Sequence, residues 1–467
     1  MELKNKRVLV VGLARTGVAT ALFCAQRGAI VTATESRTET EIGEAVARIR
    51  VAGVSVELGG HHEETFVQQD LIVPSPGVPA DFALLLKAKS AGVTIWSEIE
   101  LAYRFLQGPL IGITGSNGKT TTTALIEHIL RNAGFPTILA GNIGTPLISR
   151  VADSKKNTLT VVELSSFQLE LIETFRPNIS LLLNITPDHL DRHHTLESYA
   201  AAKARIFENQ TEDDAAILNA DDAATTPHAP KRSRVYWFSR KRRVTEGAYL
   251  HGEDLVFRQD GTEETIIKRG EIPLVGGHNL ENVLAAIVAS RLAGALAPAV
   301  AKGIRSFAGV EHRLEFVAEI HGVRYYNDSK ATNVDATLKA LEAFAGRVLI
   351  ILGGKDKDSD YTVLRKPLSE KAILALLIGA AAEKIDRQIS GSVAIDRAET
   401  LEQAVETASR TAHSGDVVLL APACASFDQF KNYEHRGRVF KDLVRQLEVR
   451  AAVTMPEKSA PTASTRK

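Results

Sequence analysis

Ten residues, Gly112-Ile-Thr-Gly115-Ser116-Asn117-Gly118-Lys119-Thr120-Thr121, bring together glycines, one lysine and a pair of adjacent threonines. Glycine lets successive backbone N–H groups turn toward a phosphate oxygen. Lys119 supplies a point charge for β- and γ-phosphates, and the Thr120 hydroxyl suits Mg²⁺. The helical pattern that begins here adds the positive end of its dipole. In the nucleotide-loop pattern G-x-x-x-x-G-K-[ST], the leading glycine would fall at Ile113; Gly112 lies one residue before it and Gly115 two after. The segment is a shifted variant of the pattern and predicts a bound nucleoside triphosphate.

Other chemistry-bearing side chains follow apolar runs. Glu163 ends the run Thr158–Val162, where a Mg²⁺-binding carboxylate of such a site belongs. The run Ile179–Leu183 leads into Asp188, His189 and Asp191, donor types for a metal or a phosphate, which also make turns and caps. His193 and His194 are expected at the surface. Lys203 lies among Ala200, Ala201, Ala202 and Ala204, small neighbours that let its stem pack and its amine aim inward; a solvated helix lysine has the same sequence context. Asn279 and Asn282 are about one helical turn apart and share a face. Their amides suit the edge of a base, or equally a helix cap.

Strands and helices must position these groups. Arg7–Val11, the loop Gly12-Leu-Ala14-Arg15-Thr16-Gly17, a helix through Ala25 and the strand Ile30–Thr34 make a Rossmann-like opening. Ala14 stands where G-x-G-x-x-G has its middle glycine, and Glu35 where an acid would meet a ribose. A strand from Asp70 runs into a proline-stiffened loop with Ser75 and Gly77, and Trp96–Gln107 reads as a helix. Lys231–Arg243, with Tyr236, Trp237 and Phe238, alternates like a strand and is expected at a sheet edge, not as a nucleic-acid surface. In the last third, Val323–Tyr326, Arg347–Leu352 and Val417–Leu420 read as parallel strands, each followed by a polar loop. Those loops, with Asn327 to Asn333, Lys355 to Asp358 and Pro422 to Asp428, should converge at one sheet edge. Ser426 has no fitting base or nucleophile elbow around it, which argues against a hydrolase triad.

The fold class is therefore α/β in three domains. Residues 1–107 form a Rossmann-like domain, 108–310 a central P-loop domain with a parallel sheet, and 311–450 a Rossmann-like α/β domain entered by a hinge near Val310. Residues 451–467 are expected to be a disordered tail. A length of 467 residues fits about three domains of ~150 each. Lys plus Arg and Asp plus Glu number 56 each, so no global charge draws the chain to nucleic acid or to an anionic membrane. Cys24 and Cys424 lie far apart and fit a reducing, cytoplasmic compartment. No run of about eighteen apolar residues is present, so membrane insertion is not expected.

Taken together, GKTTT, ELSSFQLE, NITPDHLDRH, AAKARIFENQ, GGHNLENVLAA, HRLE, NDSKATN and PACASFDQFKNYEHRG resemble the Mur ligases, from about Val8 to Gln446. The displaced glycine fits that family's own form of the loop. The resemblance implies an ATP- and Mg²⁺-dependent, amide-forming ligase of peptidoglycan precursor synthesis, with two metal ions and a monomeric chain. The loops PACASFDQF and ELSSFQLE favour D-glutamate as the added amino acid and UDP-N-acetylmuramoyl-L-alanine as its acceptor; a sibling adding another amino acid, or a nucleotide-binding regulator without ligase activity, are the alternatives. The resemblance further implies that Gly115, Ser116, Asn117, Gly118, Lys119, Thr120 and Thr121 hold ATP phosphates, and that Asn279, Asn282, Arg313 and Asp328 contact the nucleotide. Glu163, His189 and Lys203, the last as a carbamate, join Thr120 at Mg²⁺ and with Lys119 carry the catalysis. Arg15, Thr16, Glu35, Ser36, Arg37, Ser75, Gly77 and Asn142 match the UDP-sugar side. Lys330, Thr332, Lys357, Ser426 and Phe427 match the D-glutamate side, with Lys357 preferred over Lys355 by spacing. Glu35-Ser36 replaces a common Asp-Thr, Phe427 a frequent Leu, and Tyr433 a frequent Phe.

Overall fold

Residues 2–454 are described by the structure, a computed structural model, without the side chains of residues 191 and 452–454. The chain divides into two compact units, one running up to Pro273 and including His278–Phe307, the other comprising Leu274–Gly277 and the chain from Ala308 onward.

The first unit holds two sheets. Strands β1 (Arg7–Val11), β2 (Ile30–Glu35), β3 (Ser55–Leu58), β4 (Leu71–Pro74) and β5 (Thr94–Ile95) form a parallel sheet in the order β3-β2-β1-β4-β5. The second sheet contains β6 (Leu110–Thr114), β7 (Thr137–Gly141), β8 (Leu159–Glu163), β9 (Ile179–Leu182), β10 (Ala215–Asn219), β11 (Arg234–Ser239), β12 (Gly247–His251), β13 (Asp254–Gln259) and β14 (Thr262–Lys268). Its order is β14-β13-β12-β11-β10-β9-β6-β8-β7, parallel except for the antiparallel turns β12–β13–β14. Every residue of β6, β8 and β9 is buried, the pattern of parallel strands covered on both faces. The basic, aromatic strand β11 lies inside the sheet between β10 and β12, so the expectation of an edge is corrected. The meander β12–β14 supplies the edge instead, a pairing between segments that local alternation does not specify.

The two sheets share one apolar core that continues from Val8 and Val10 through Ile99 and Leu101 to Val162 and Leu218. The helix expected over Trp96–Gln107 is shorter, Glu98–Tyr103, and it ties the sheets together. Its buried Glu98 accepts the Ile148 N–H at 2.6 Å, and burial pushes that carboxyl up to about 7. Glu100 accepts the N–H groups of Glu173, Thr174 and Phe175 at 2.8–3.0 Å.

The second unit has one sheet, with β15 (Glu315–Ile320), β16 (Val323–Asn327), β17 (Val348–Gly353), β18 (Ala372–Ile378), β19 (Ile395–Glu399) and β20 (Val417–Leu420). The order is β15-β16-β20-β17-β18-β19, parallel apart from the edge strand β15. Separate apolar clusters fill its two faces. The last helix runs to Thr454, so Ala451–Thr454 are helical, and the rest of the expected tail, 455–467, lies outside the described residues.

Candidate functional site

In the first unit, β6 delivers the chain into the loop 115–118, and the helix Lys119–Asn132 leaves it with Gly118 as its N-cap at φ 82°. Gly118 has a second constraint: a Cβ there would stand 2.2 Å from Asn282 Oδ1. That same oxygen accepts the Thr122 hydroxyl at 3.2 Å, and Asn282 Nδ2 donates to Asn279 Oδ1 at 3.1 Å. Asn279 and Asn282 do share a face, and both are buried beside the loop. The loop is laced to the segment after β9. Ser116 N–H donates to the Asn184 carbonyl at 2.9 Å, Asn117 N–H to Asn184 Oδ1 at 2.8 Å, and Ser116 Oγ to the Thr186 carbonyl at 3.0 Å. Lys119 Nζ folds back onto the carbonyls of Gly115 and Ser116, at 2.8 Å each. Thr120 is buried at the helix start, with Thr121 beside it.

Within the same unit, Lys203 feels the charges of Lys119, Asp188 and Glu163. Glu163 ends β8 at 2% exposure; its Oε1 accepts Asn142 Nδ2 at 2.8 Å, and its buried Oε2 has no hydrogen-bond partner among the described residues. Lys203 is 1% exposed on the helix Leu196–Ala204, so the inward reading holds. Burial, reinforced by the Lys119 charge, lowers its amine to about 6 against the pull of Asp188 and Glu163. Its Nζ lies 4.4 Å from the centre of the Tyr199 ring. His189, half exposed at φ 52°, packs edge-on against Phe167 at 5.0 Å. His194 is exposed as expected, but His193 is not: it is 6% exposed, bonded to Ser166 Oγ at 2.9 Å and stacked on Phe167 at 5.3 Å. The short helix Leu190–His193 turns it inward, and a Phe at 167 two elements away was not legible as its partner.

The loops after β1, β2 and β4 also meet. Glu35 Oε2 accepts Leu13 N–H at 2.8 Å and Arg37 Nη2 at 2.8 Å, and Oε1 accepts Ser36 Oγ at 3.1 Å. The Arg37 hydrogen bond holds that carboxyl down at about 2. Ser75 Oγ donates to the Gly12 carbonyl at 2.9 Å. Arg15 Nη1 donates to the Gly144 carbonyl at 2.6 Å, with Thr16 partly buried beside it, and Arg192 Nη1 to the Gly77 carbonyl at 3.5 Å. A cavity of about 900 Å³ is lined by Leu13, Ala14, Arg15, Phe23, Gly144 and Pro146; of the residues expected on the UDP-sugar side, Arg15 lines it and Thr16, Glu35, Ser36, Arg37, Ser75, Gly77 and Asn142 do not.

In the second unit the three polar loops do converge, because β16, β20 and β17 are neighbours. Ala423 N–H donates to the Ala331 carbonyl at 3.0 Å and Lys355 N–H to the Ala425 carbonyl at 2.8 Å. Asp328 faces Arg313 and accepts the Leu314 N–H, and burial pushes its carboxyl up to about 7. Lys330 Nζ donates to Tyr433 Oη at 3.3 Å, a contact that a Phe at 433 would not offer. Thr332 is partly buried, Lys357 exposed, Ser426 buried, and Phe427 is 66% exposed at the loop tip. Sequence reasoning missed Arg436, which is 0% exposed and donates to the carbonyls of Ser329 and Cys424 at 2.8 and 3.2 Å, joining two of these loops. An arginine in an otherwise helical pattern carries no signal of that burial.

Solved structures share this fold. The UDP-N-acetylmuramate–alanine ligase of Thermotoga maritima aligns with a TM-score of 0.58 at 19% identity, covering 95% of this chain and all of that one. A pseudomurein peptide ligase type C of Methanothermus fervidus gives 0.57 at 18%, with the same coverage. Residues 6–97 match the Mur ligase MurD-like N-terminal domain, 113–290 the Mur ligase middle domain, and 312–424 the Mur ligase glutamate ligase domain. The chain belongs to the Mur ligase family. Among its relatives, the UDP-N-acetylmuramoylalanine–D-glutamate ligase of Acidobacterium capsulatum is 54% identical over 447 residues, 95% of this chain and 97% of that one. The protein of the same name from Koribacter versatilis is 52% identical over 448 residues, 96% of this chain and 99% of that one. Among the described residues no helix is long and apolar enough to cross a membrane.

Proposed function

We propose that this chain joins D-glutamate to UDP-N-acetylmuramoyl-L-alanine with cleavage of ATP to ADP and phosphate, a step of peptidoglycan precursor synthesis carried out by a cytoplasmic monomer. The observation that carries this reading is the near-complete match, at about half identity, to ligases of that name, with Lys119, Glu163 and Lys203 assembled around one loop.

Loop residues 115–121 hold the ATP phosphates. Lys119 exchanges the carbonyls of Gly115 and Ser116 for phosphate oxygens and meets charge as it develops in phosphoryl transfer. Asn279, Asn282, Arg313 and Asp328 contact the nucleotide. Arg15, Thr16, Glu35, Ser36, Arg37, Ser75, Gly77 and Asn142 hold the UDP-sugar. Lys330, Thr332, Lys357, Ser426 and Phe427 orient D-glutamate. The substrate carboxylate is a poor electrophile; the γ-phosphoryl group turns it into an acyl phosphate. The amine of D-glutamate then attacks that carbonyl carbon, the tetrahedral intermediate loses phosphate, and the amide remains.

Among the described residues no three His, Cys, Asp or Glu side chains gather into a metal-binding group. The residues nonetheless fit Mg²⁺, a hard ion that takes few protein ligands and completes its shell with phosphate oxygens and water. Glu163 has a buried Oε2 to offer, without a hydrogen-bond partner among the described residues, and Thr120 lies at the helix start. Two ions would be held, by Thr120 and Glu163 and by His189 and Lys203, and would supply charge neutralisation of the phosphates. Lys203 takes part as a carbamate. An amine lowered to about 6 is largely the free base at neutral pH, the form that adds CO₂, and the product is an anionic oxygen ligand.

The test is phosphate release in the presence of UDP-N-acetylmuramoyl-L-alanine with D-glutamate, L-alanine or diaminopimelate. Stimulation by D-glutamate alone is expected. Release of ADP with no need for an amino acid defeats the ligase reading, and stimulation by another amino acid redirects it.

A further inference from the structure

The loop after β17 and the loop after β20 are joined below their backbones as well as along them. Lys355 and Ala425 exchange backbone hydrogen bonds at 2.8 and 3.2 Å. Underneath, the ring of Tyr361 is completely buried, and its hydroxyl lies 2.7 Å from Asp356 Oδ1 and 3.0 Å from Cys424 Sγ. A phenol has a single proton. The carboxylate is the stronger acceptor, so Tyr361 donates to Asp356 and accepts from the Cys424 thiol. Lys384 Nζ donates to the other oxygen of Asp356 at 2.7 Å, and Ser359 N–H to Oδ1 at 3.2 Å. Burial, which alone would raise the Asp356 carboxyl, is outweighed by the Lys384 and Tyr361 hydrogen bonds, which hold it at about 2. Tyr361 N–H donates to Gln388 Oε1 at 2.7 Å. The turn 356–361 is thus pinned at both ends, with exposed Lys357 on it. The thiol pins Cys424, two residues before Ser426.

We propose that Tyr361 is a positioning residue of the amino-acid site, its hydroxyl fixing through Asp356 and Cys424 the spacing between the loop of Lys357 and the loop of Ser426. This rests on the function proposed above for those two loops. Phenylalanine at 361 would keep the ring packing and leave both loops without their shared partner. Every member of the clasp belongs to the second unit and to the two loops of the amino-acid side, so its loss should be felt chiefly by one substrate.

Tyr361→Phe and Asp356→Ala test this in the full-length enzyme. Each is expected to raise KM for D-glutamate about three- to tenfold, with KM for ATP and for the UDP-sugar changed less than about twofold. Because both variants remove the one Tyr361–Asp356 hydrogen bond, the double variant should lose less than the two single losses multiplied together. Trypsin, without any substrate present, should cut after Lys355 and Lys357 faster in each variant. An unchanged KM for D-glutamate in both variants, an equal rise in all three KM values, or an unchanged cleavage rate overturns the proposal. If Tyr361→Phe does not fold, Asp356→Ala, altered at a partly exposed side chain, decides the matter by the same readings. If the unsubstituted enzyme shows no D-glutamate dependence, the function falls, and the trypsin rates still decide whether Tyr361 clasps the loops.

Discussion

At Gly12 the chain leaves β1 and enters the helix Arg15–Gln26; at Gly115 it leaves β6 and enters the helix Lys119–Asn132. Both turns follow a buried parallel strand, both use glycines at positive φ, and both aim a helix N-terminus past the strand ends. They differ in what is fixed to them. The first turn gives Leu13 N–H to the carboxylate of Glu35, which Arg37 keeps ionised. The second gives two N–H groups to the neutral oxygens of Asn184 and carries Lys119 on its own helix. A carboxylate already placed at a helix start cancels much of its positive end, whereas a lysine adds to it. The shared backbone shape therefore does not set the two turns apart. The charge fixed to each does: a Glu35–Arg37 ion pair at the first, a lysine at the second.

The strongest way to break the comparison is to take the charge out of the second turn. Lys119→Ala should lower kcat about 10³-fold with an unchanged circular dichroism spectrum; activity near that of the unsubstituted enzyme would remove the lysine from the phosphate site. Close behind is the backbone of the first turn. A Cβ on Gly17 would stand 1.8 Å from the Gly12 carbonyl oxygen. Gly17→Ala should cost about 3 kcal/mol or more in urea unfolding, among the larger single-residue effects; a loss under about 1 kcal/mol would mean that the turn yields easily. Lys203→Ala should lose about 10²-fold in activity, with part restored by small carboxylates such as acetate, which replace the anionic oxygen but not the amine. Full activity of that variant would end the carbamate reading.

The smallest effect concerns Glu35. Its folded carboxyl sits at about 2 against an ordinary value of 4.5. A depressed acid stabilises fully above its unfolded value, and this is lost as pH falls through the folded one. Glu35→Gln should thus cost about 2 kcal/mol at pH 6, discounted because Arg37 is half exposed, and the gap to the unsubstituted chain should close between pH 4.5 and 2. A gap that is constant with pH would show that packing, not charge, holds the first turn. At neutral pH this variant should also raise KM for the UDP-sugar and leave KM for ATP unchanged.

Much of the fold could be read directly from residue order. β1, β6, β9, β17 and β20 are short apolar runs, and each polar loop after them lies where the runs predicted. The helix over Trp96–Gln107 came out shorter and β11 came out internal, since strand order depends on partners far along the chain. The site was legible in parts. Lys119, Glu163 and the Asn279–Asn282 face carried signals in their spacing, while His193, expected outside, turned in to stack on Phe167. Arg436 and the Tyr361 hydroxyl gave no signal at all.

Sequence alone determined which residue types close each strand, because buried parallel strands must be apolar throughout and their ends must then supply the polar groups. Tertiary structure decided which of those groups lose water. A lysine among alanines looks the same in sequence whether it is solvated or buried. Only burial in the packed structure, reinforced by the charge of Lys119, lowers the Lys203 amine to about 6. Desolvation and the field of distant charges are properties of assembled neighbours, and no local pattern encodes them.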